Sequence, residues 1–156
     1  MNVYVAPRIT PRWTAVWRRN FLVWQKLAIP SMLGNFADPM MYVLALGYGL
    51  GSLLGNVQGM TYVAFLATGT VCQSTMNTAT FEALYSAFSR MHVQRTWDAI
   101  LNAPVGLDDV VLGEMVWAAS KAWLSGAVIM LVATILGVVT SPVALAALAV
   151  IPLVGL

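Results

Sequence analysis

Two long stretches without a charged side chain constrain this chain more than any other feature. No Asp, Glu, Lys or Arg occurs from Pro39 to Phe81 or from Ala122 to Leu156. Uncharged apolar stretches longer than about 18 residues are typical of membrane-spanning helices. Only 9% of the residues are charged, against roughly 25% in soluble domains. These features exclude a soluble enzyme and a disordered tail, and they predict an integral membrane protein.

The remaining composition excludes several kinds of partner and cofactor. The net charge of +2 is too small to predict a nucleic-acid partner. Cys72 is the only cysteine and His92 the only histidine, which leaves no ligand set for a metal ion and no catalytic pair. No Gly-Lys dipeptide occurs, so the sequence contains no P-loop for ATP. We therefore expect no catalytic residue, metal or cofactor in this chain.

Residues 1–27 are predicted to form a cytoplasmic N-terminus with an amphipathic helix at the membrane surface. Thr10 and Pro11 are typical of an N-cap and a first helical residue. Aromatic residues then recur at three- and four-residue spacing, with basic residues on a neighbouring face. An interfacial helix and the ordinary solvated flank of a first span both fit this pattern. The candidate interfacial residues are Trp13, Trp17, Arg18, Arg19 and Trp24.

Residues 28–156 are predicted to form one transmembrane domain. The predicted spans are 28–54, 60–88, 110–139 and, incomplete, 143–156. A turn at 55–59 and a loop at 89–109 separate the first three spans. The expected fold is an all-α polytopic membrane protein with an interfacial helix, three complete transmembrane helices and the start of a fourth. The fourth span covers about 21 Å of a hydrocarbon core of about 30 Å, which predicts a C-terminally truncated chain.

The placement of Lys and Arg predicts the orientation in the membrane. Five basic residues precede the first span and two lie in the loop 89–109. The short turns at 55–59 and 140–142 contain none. Because basic residues concentrate in cytoplasmic loops, we expect the N-terminus and the loop 89–109 to be cytoplasmic.

Small and polar side chains in the spans suggest contacts between helices. Gly47, Gly51 and Gly55 form two overlapping small-xxx-small steps, which favour close helix packing, with a hinge as the alternative. The second span contains many Thr, Ser, Asn and Gln residues, which favour interhelical hydrogen bonds over a substrate path. We expect Glu82 at the membrane interface. We expect Lys121 to snorkel to the cytoplasmic boundary rather than to form an ion pair.

The loop 89–109 contains a short helix with its own start and stop signals. Thr96 can cap a helix from Trp97 to Asn102, which Pro104 and Gly106 terminate. This helix is amphipathic and needs a partner protein or the lipid headgroup layer to pack against.

The same loop resembles a known family. The runs Arg95-Thr96-Trp97-Asp98-Ala99-Ile100-Leu101-Asn102-Ala103-Pro104-Val105 and Leu107-Asp108-Asp109-Val110-Val111-Leu112-Gly113-Glu114 are similar to permeases of the ABC type-2 exporter family. Within that family they look most like the nodulation NodJ group. The segments Trp17-Arg18-Arg19-Asn20-Phe21, Asp38-Pro39 and Gly47-Tyr48-Gly49-Leu50-Gly51 look like the same group.

The resemblance implies a six-span permease in the bacterial inner (plasma) membrane. Such a permease pairs with a second copy of itself and with separate ABC ATPase subunits, which bind the ATP. It also implies export of an amphipathic lipo-oligosaccharide, related glycolipid or polysaccharide, and contact of the N-terminal helix with membrane lipid. The loop helix then corresponds to a coupling helix that docks on the ATPase. Its candidate residues are Thr96, Trp97, Asp98, Ile100 and Leu101.

Two other classes of function remain open at this stage. A passive channel built from several copies predicts flux without nucleotide. A non-transporting scaffold or truncated product predicts no flux and rapid turnover.

Overall fold

The structure is a computed structural model that describes residues 9–54, 56, 57, 59–135 and 150. Gly55, the end of the predicted third span at 136–139 and, apart from residue 150, the predicted fourth span at 143–156 lie outside the described residues. The described residues are helical apart from their loops and one pair of two-residue strands. The all-α expectation is therefore confirmed.

The N-terminal region forms two successive helices. Helix α1 comprises Trp13–Lys26, and Leu27 alone separates it from α2, Ala28–Tyr42. The indole Nε1 of Trp24 donates a hydrogen bond to Ser31 Oγ at 3.3 Å and so links the two helices. The start of α1 differs from the prediction. Helix α1 begins at Trp13 with Arg12 as its N-cap, two residues later than predicted. The Thr10 hydroxyl accepts a long hydrogen bond from the Arg12 N–H, at 3.4 Å, and donates to Asp109.

The predicted first span is one uninterrupted run of helix. A π-helical turn, Val43–Tyr48, follows α2 and leads directly into α3, Gly49–Leu54. The predicted turn then forms between two antiparallel strands, β1 (Asn56–Val57) and β2 (Met60–Thr61). Gly59 lies in this turn with a φ of +83°, a conformation that favours glycine.

The second predicted span extends further than expected. Helix α4 comprises Tyr62–Phe81. Two π-helical turns, Glu82–Ser86 and Ser89–Val93, continue it without a break, and we call residues 82–93 the α4 extension. The prediction that the loop begins at residue 89 is therefore wrong. The helix continues because Arg90 is held by two buried carboxylates, as described below.

A long central helix organises the described residues. After the short helix α5, Thr96–Leu101, the chain forms α6, Leu107–Ile135. Helix α6 packs against α1 and against α4, and it contributes buried side chains from Asp109 to Ala133. Helices α4 and α6 run in opposite directions, so Val71 near the middle of α4 packs with Ile129 near the end of α6.

One helix in the described residues is long and apolar enough to cross a membrane, judged by length and composition. This helix is α6, with 29 residues or about 43 Å. The three complete spans expected from the sequence are not confirmed by this criterion. The π-helical turn divides the helix over 28–54 into shorter α-helical parts, and polar side chains lower the hydropathy of α4.

Arg95, between the α4 extension and α5, has a left-handed backbone conformation with a φ of 49°. This conformation costs a side chain with a Cβ roughly 1–2 kcal/mol, whereas glycine adopts it freely. We therefore expect Arg95→Gly to leave the free energy of unfolding unchanged or to raise it by up to about 1 kcal/mol, because the unfolded chain gains freedom as well. Thermal unfolding in detergent measures this change. Arg95→Val should be destabilising, and equal stability of the Gly and Val variants would contradict the prediction.

Candidate functional site

The N-terminal segment is hydrogen-bonded to the loop that follows α5 and to the first turn of α6. The backbone N–H of Thr10 donates to Asp109 Oδ1 at 2.7 Å, and the Thr10 hydroxyl donates to Asp109 Oδ2 at 2.6 Å. The guanidinium of Arg12 donates to the carbonyl oxygen of Pro104. We call these contacts the N-terminal clasp. They join the start of α1 to the stretch between α5 and α6, at Pro104, and to the first turn of α6, at Asp109.

The clasp makes the stability of this region depend on pH. The two hydrogen bonds from Thr10 hold the pKa of Asp109, the last residue of the predicted cytoplasmic loop, below its ordinary value. A carboxylate with a lowered pKa stabilises the fold above its ordinary pKa, and this contribution is lost as the pH falls through the lowered value. We expect Asp109→Asn to lower the melting temperature most at neutral pH. The difference from the wild type should vanish in acid, and a difference that is the same at every pH would contradict this.

A glycine allows α1 to lie directly on α6. A Cβ at Gly113 would lie 2.7 Å from Val16 Cβ and 2.9 Å from the carbonyl oxygen of Trp13. Val16 is almost fully buried at this contact, with 2% of its surface exposed. The candidate interfacial helix is thus held against α6 along its own length.

Aromatic rings extend this contact towards the end of α1. Trp17 stacks on Phe21 with their centroids 5.5 Å apart, and Trp24 meets Trp117 of α6 edge to face at 6.1 Å. Trp17 Nε1 donates a hydrogen bond to Ser120 Oγ at 3.1 Å. Of the predicted interfacial residues, Trp13, Trp17 and Trp24 therefore contact or face α6.

The two basic residues predicted for the interfacial helix differ in their surroundings. Arg18 is exposed, whereas Arg19 is half-buried and donates to Asn20 Oδ1 at 3.0 Å. Burial lowers the pKa of Arg19 from its ordinary value, and the nearby carboxylate of Glu114 opposes this effect. Arg18 is thus free to meet an anion in the surroundings, while Arg19 lies closer to the interior.

Two carboxylates and two cations form a buried group between the α4 extension and α6. We call Glu82, Arg90, Glu114 and Lys121 the ionic cluster. Arg90 Nη1 lies 3.0 Å from Glu82 Oε1, and its Nη2 lies 2.5 Å from Glu114 Oε2. Lys121 Nζ lies 2.6 Å from the other oxygen of Glu82. Trp117 Nε1 also donates to Glu82 Oε1, at 2.9 Å.

The ionic cluster is withdrawn from solvent. Only 3% of the Glu82 side chain and 5% of the Glu114 side chain are exposed. Lys121 forms an ion pair with Glu82, so the expectation that Lys121 snorkels rather than forms an ion pair is wrong. The placement of Glu82 at the membrane interface stays a prediction. Arg90, Lys121 and the indole of Trp117 all bond to Glu82. These contacts take the place of the hydrogen bonds with water that the buried charges have lost.

A polar groove adjoins the ionic cluster. It encloses about 320 Å³ between α2, α4 and α6. Its lining residues include Tyr42, Gln73, Ser74, Asn77, Thr78, Glu82 and Lys121. Gln73 Nε2 donates to Asn77 Oδ1 at 3.4 Å, and both residues are exposed. Ser74 and Thr78 instead contact Ser125 of α6, with oxygen separations of 3.3 Å and 3.4 Å. The polar residues of the second span thus serve both helix packing and an open groove.

The short helix in the loop presents an exposed outer side. Helix α5 begins at Thr96, one residue earlier than predicted, because Arg95 rather than Thr96 takes the position before its first turn. Trp97 and Ile100 are half-buried, whereas Asp98 and Leu101 are exposed. In the part of the chain that the structure describes, the indole nitrogen of Trp97 is buried without a hydrogen-bond partner. Trp97 and Ile100 therefore form a side that anchors α5, and Asp98 and Leu101 form a side that a partner can reach.

The glycine steps of the first span face α4. A Cβ at Gly47 would lie 3.4 Å from Val63 Cγ1, and one at Gly51 would lie 3.6 Å from Val63 Cγ2. These are close but tolerable contacts for a methyl group. Gly55, the third predicted residue, lies outside the described residues.

Sequence reasoning missed the ionic cluster and Gly113. A usable signal for the cluster was present, because each of the two helices carries one acidic and one basic residue about two turns apart: Glu82 with Arg90, and Glu114 with Lys121. Antiparallel packing places each acid opposite a base of the other helix. No three His, Cys, Asp or Glu residues within 9–54, 56, 57 and 59–135 come together to hold a metal ion.

Comparison with known proteins gives relatives over nearly the whole chain. It is 52% identical to nodulation protein J of Bradyrhizobium diazoefficiens, over 97% of this chain and 58% of that protein. The identity to nodulation protein J of Rhizobium meliloti is 52%, over 99% of this chain and 60% of that protein. The chain is thus similar to nodulation protein J along nearly all of its own length. The resemblance to the nodulation protein J group is therefore confirmed.

A more distant nodulation protein J, from Azorhizobium caulinodans, is 34% identical over 80% of this chain and 49% of that protein. The chain spans about three fifths of the length of the first two nodulation protein J relatives. No family model matches the chain, and no solved structure matches it.

Proposed function

We propose that this chain is part of the transmembrane permease subunit of an ATP-driven ABC type-2 exporter. The observation that supports this most strongly is the identity of about half of its residues to nodulation protein J along nearly all of its length. The described helices overlap the predicted spans 28–54, 60–88 and 110–139, which supports a multi-pass subunit. The basic N-terminal segment and the α5 loop then face the cytoplasm, in the bacterial inner membrane.

The energy for transport comes from a separate subunit in this proposal. The sequence has no P-loop, so an ABC ATPase binds and hydrolyses the ATP. The permease itself is not an enzyme and binds no cofactor. A second copy of the permease completes the path, with Gly47 and Gly51 supporting close helix packing.

The proposed substrate is a lipo-oligosaccharide or a related glycolipid or polysaccharide. The relatives are named for nodulation, and the polar groove supports an amphipathic solute with a sugar part. Exposed amide groups of Gln73 and Asn77 can exchange hydrogen bonds with sugar hydroxyls, while Tyr42 and Phe81 offer aromatic faces.

The fold offers a continuous route from the ATPase to the spans. Helix α5 follows Arg95 directly, and Arg90 lies about one turn earlier in the α4 extension. Arg90 bonds to Glu114, so a movement of α5 is passed to α6 through a charged, hydrogen-bonded contact. The N-terminal clasp passes the same movement to α1 through Asp109. Charged hydrogen bonds suit this role because they are short and directional.

The first test is purification from native membranes in mild detergent, followed by mass spectrometry of the partners. The proposal expects an ABC ATPase with a P-loop in the complex, and ATP-dependent export of the lipo-oligosaccharide from reconstituted vesicles. Flux without nucleotide would indicate a passive channel instead. Absence of both flux and ATPase would indicate a scaffold or a non-functional product.

The coupling helix can be tested by a single charge on its exposed side. We expect Leu101→Glu to lower transport at least tenfold while ATP hydrolysis by the complex continues, because the new carboxylate disrupts the apolar contact with the ATPase. Trp97→Ala should act in the same direction by loosening the helix from its anchoring side. The control is Leu101→Met, which keeps an apolar side chain at the same exposed position and should transport normally. Normal transport in both Leu101→Glu and Trp97→Ala would rule out the assignment.

A further inference from the structure

A groove between α1 and α6 has the features of a lipid site. One cavity, of about 500 Å³, is lined by Trp17, Phe21, Trp24, Trp117, Trp123 and Leu124 together with Lys121 and smaller residues. This size falls within the roughly 300–1,000 Å³ of sites for small molecules. A second cavity adjoins it and shares Trp17, Val116 and Ser120 with it. The two cavities thus form one groove along the contact of α1 with α6.

The walls of the groove are mostly apolar. Lys121 also lines them, but its ammonium is paired with Glu82. The indole N–H groups of Trp17, Trp24 and Trp117 all donate to protein oxygens, on Ser120, Ser31 and Glu82 respectively. These three rings therefore have no remaining donor for a sugar hydroxyl and present carbon surface instead. Such a surface fits an acyl chain better than an oligosaccharide.

One end of the groove is basic. Arg18 and Arg19 both line the second cavity, next to Trp13 and Trp17. Arg18 is exposed, so its guanidinium can reach an anion outside the protein. A planar guanidinium binds a phosphate through two parallel hydrogen bonds, and indole rings are common at the level of lipid headgroups.

We propose that this groove binds one anionic phospholipid, with its phosphate at Arg18 and Arg19 and an acyl chain along Trp17, Phe21 and Trp24. The proposal rests on the proposed function, because it requires α1 to lie at a membrane surface. Bound there, the lipid lies beside the direct contact of the interfacial helix with α6. It would make the position of α1 depend on the lipid composition of the membrane.

Native mass spectrometry of the purified protein tests this directly. The protein is exchanged into micelles that contain phosphatidylglycerol or phosphatidylcholine, and the lipid retained per chain is measured. We expect one phosphatidylglycerol to be retained and phosphatidylcholine to be lost. The double variant Arg18→Gln/Arg19→Gln should weaken phosphatidylglycerol retention by roughly tenfold or more, because each basic group near an anionic lipid contributes a factor of about five.

Three further variants separate the possible outcomes. Arg18→Gln alone should weaken retention less than the double variant and avoids disturbing the half-buried Arg19. Val116→Phe fills the section that the two cavities share, so it should also release the lipid. Lys26→Gln removes an exposed cation of the same helix outside the groove and should retain the lipid as the wild type does.

Each other result overturns the proposal. Equal retention of both lipids in the wild type would mean that the headgroup is not recognised. Retention that survives Val116→Phe, or that Lys26→Gln weakens as much as Arg18→Gln does, would place the lipid on the general surface. Absence of any bound lipid from a protein that still purifies with its ATPase would show that another part of the protein fills the groove. Recovery from the soluble fraction would instead contradict the proposed function itself.

Discussion

Replacing Arg90 by methionine is expected to lower the free energy of unfolding by about 3–5 kcal/mol. This is the cost of leaving a buried charge without its partner. Arg90 donates to Glu114 through Nε and Nη2 and to Glu82 through Nη1. Glu82 keeps Lys121 and Trp117 in the variant, whereas Glu114 loses the only ion pair that the described residues give it. Thermal or denaturant unfolding in detergent measures the loss.

A double variant distinguishes the charge from the side-chain volume. Arg90→Met/Glu114→Met replaces the pair by apolar groups of similar size, and it should recover most of the stability lost in the single variant. Arg90→Lys should give an intermediate loss, because an ammonium cannot bridge two carboxylates as a guanidinium does. Lys26→Met, at an exposed cation of α1, serves as the control with a change below about 0.5 kcal/mol. An equally small change in Arg90→Met would show that the ionic cluster does not form.

The double variant also tests whether the ionic cluster carries movement from α5 to α6 during transport. In the double variant the fold is restored but the charged link between the α4 extension and α6 is absent. We therefore expect the double variant to bind the ATPase and yet to transport at a reduced rate. Wild-type transport by a stable double variant would mean that the cluster serves stability alone.

Gly113→Ala is expected to destabilise the contact of α1 with α6 by about 1–3 kcal/mol, the usual cost of overpacking a core. The added methyl group would lie 2.9 Å from the backbone oxygen of Trp13, which cannot turn away as a side chain can. The steric clash can therefore be relieved only if α1 moves as a whole. Limited proteolysis should cut within α1 of the variant at protease concentrations that leave the wild type intact, and the melting temperature should fall.

Gly69→Ala is the matched control for this prediction. Gly69 also lies inside a helix, α4, but nothing lies within 4 Å of a Cβ built there. Both substitutions gain the same helix propensity, about 0.5–1 kcal/mol relative to glycine. The control should therefore be as stable as the wild type or more stable. If Gly113→Ala behaves like Gly69→Ala, α1 does not pack on α6 at this point.

Local patterns in the sequence were sufficient to place most of the helices. The aromatic spacing from Trp13 to Trp24 predicted α1, because residues three and four apart share one face of a helix. The start and stop signals around Trp97 predicted α5 to within one residue. The turn before Met60 was predicted from its Gly and Asn residues, and Gly59 there has the positive φ that glycine permits. All of these signals act over a few residues.

Local patterns failed where a polar side chain has a distant partner. Thr10 looks like a helix cap, but its hydroxyl binds Asp109, 99 residues further along the chain. Arg90 looks like a loop residue, but two buried carboxylates hold it in a helix. Lys121 looks like a residue that snorkels to the membrane boundary, but its ammonium pairs with Glu82. Local sequence patterns do not show which distant partner each of these polar side chains will meet.

The sequence by itself determined that the chain is helical and largely apolar, with its charge confined to the N-terminal segment, to residues 82–121 and to Asp38. It also determined the nodulation-type resemblance, because residues 95–114 form an unusual run. Only the tertiary structure decided which charges meet. The antiparallel register of α4 and α6 brings Glu82 to Lys121 and Arg90 to Glu114. Burial makes these contacts strong, because charged groups withdrawn from water depend on one another for the interactions that water would otherwise supply.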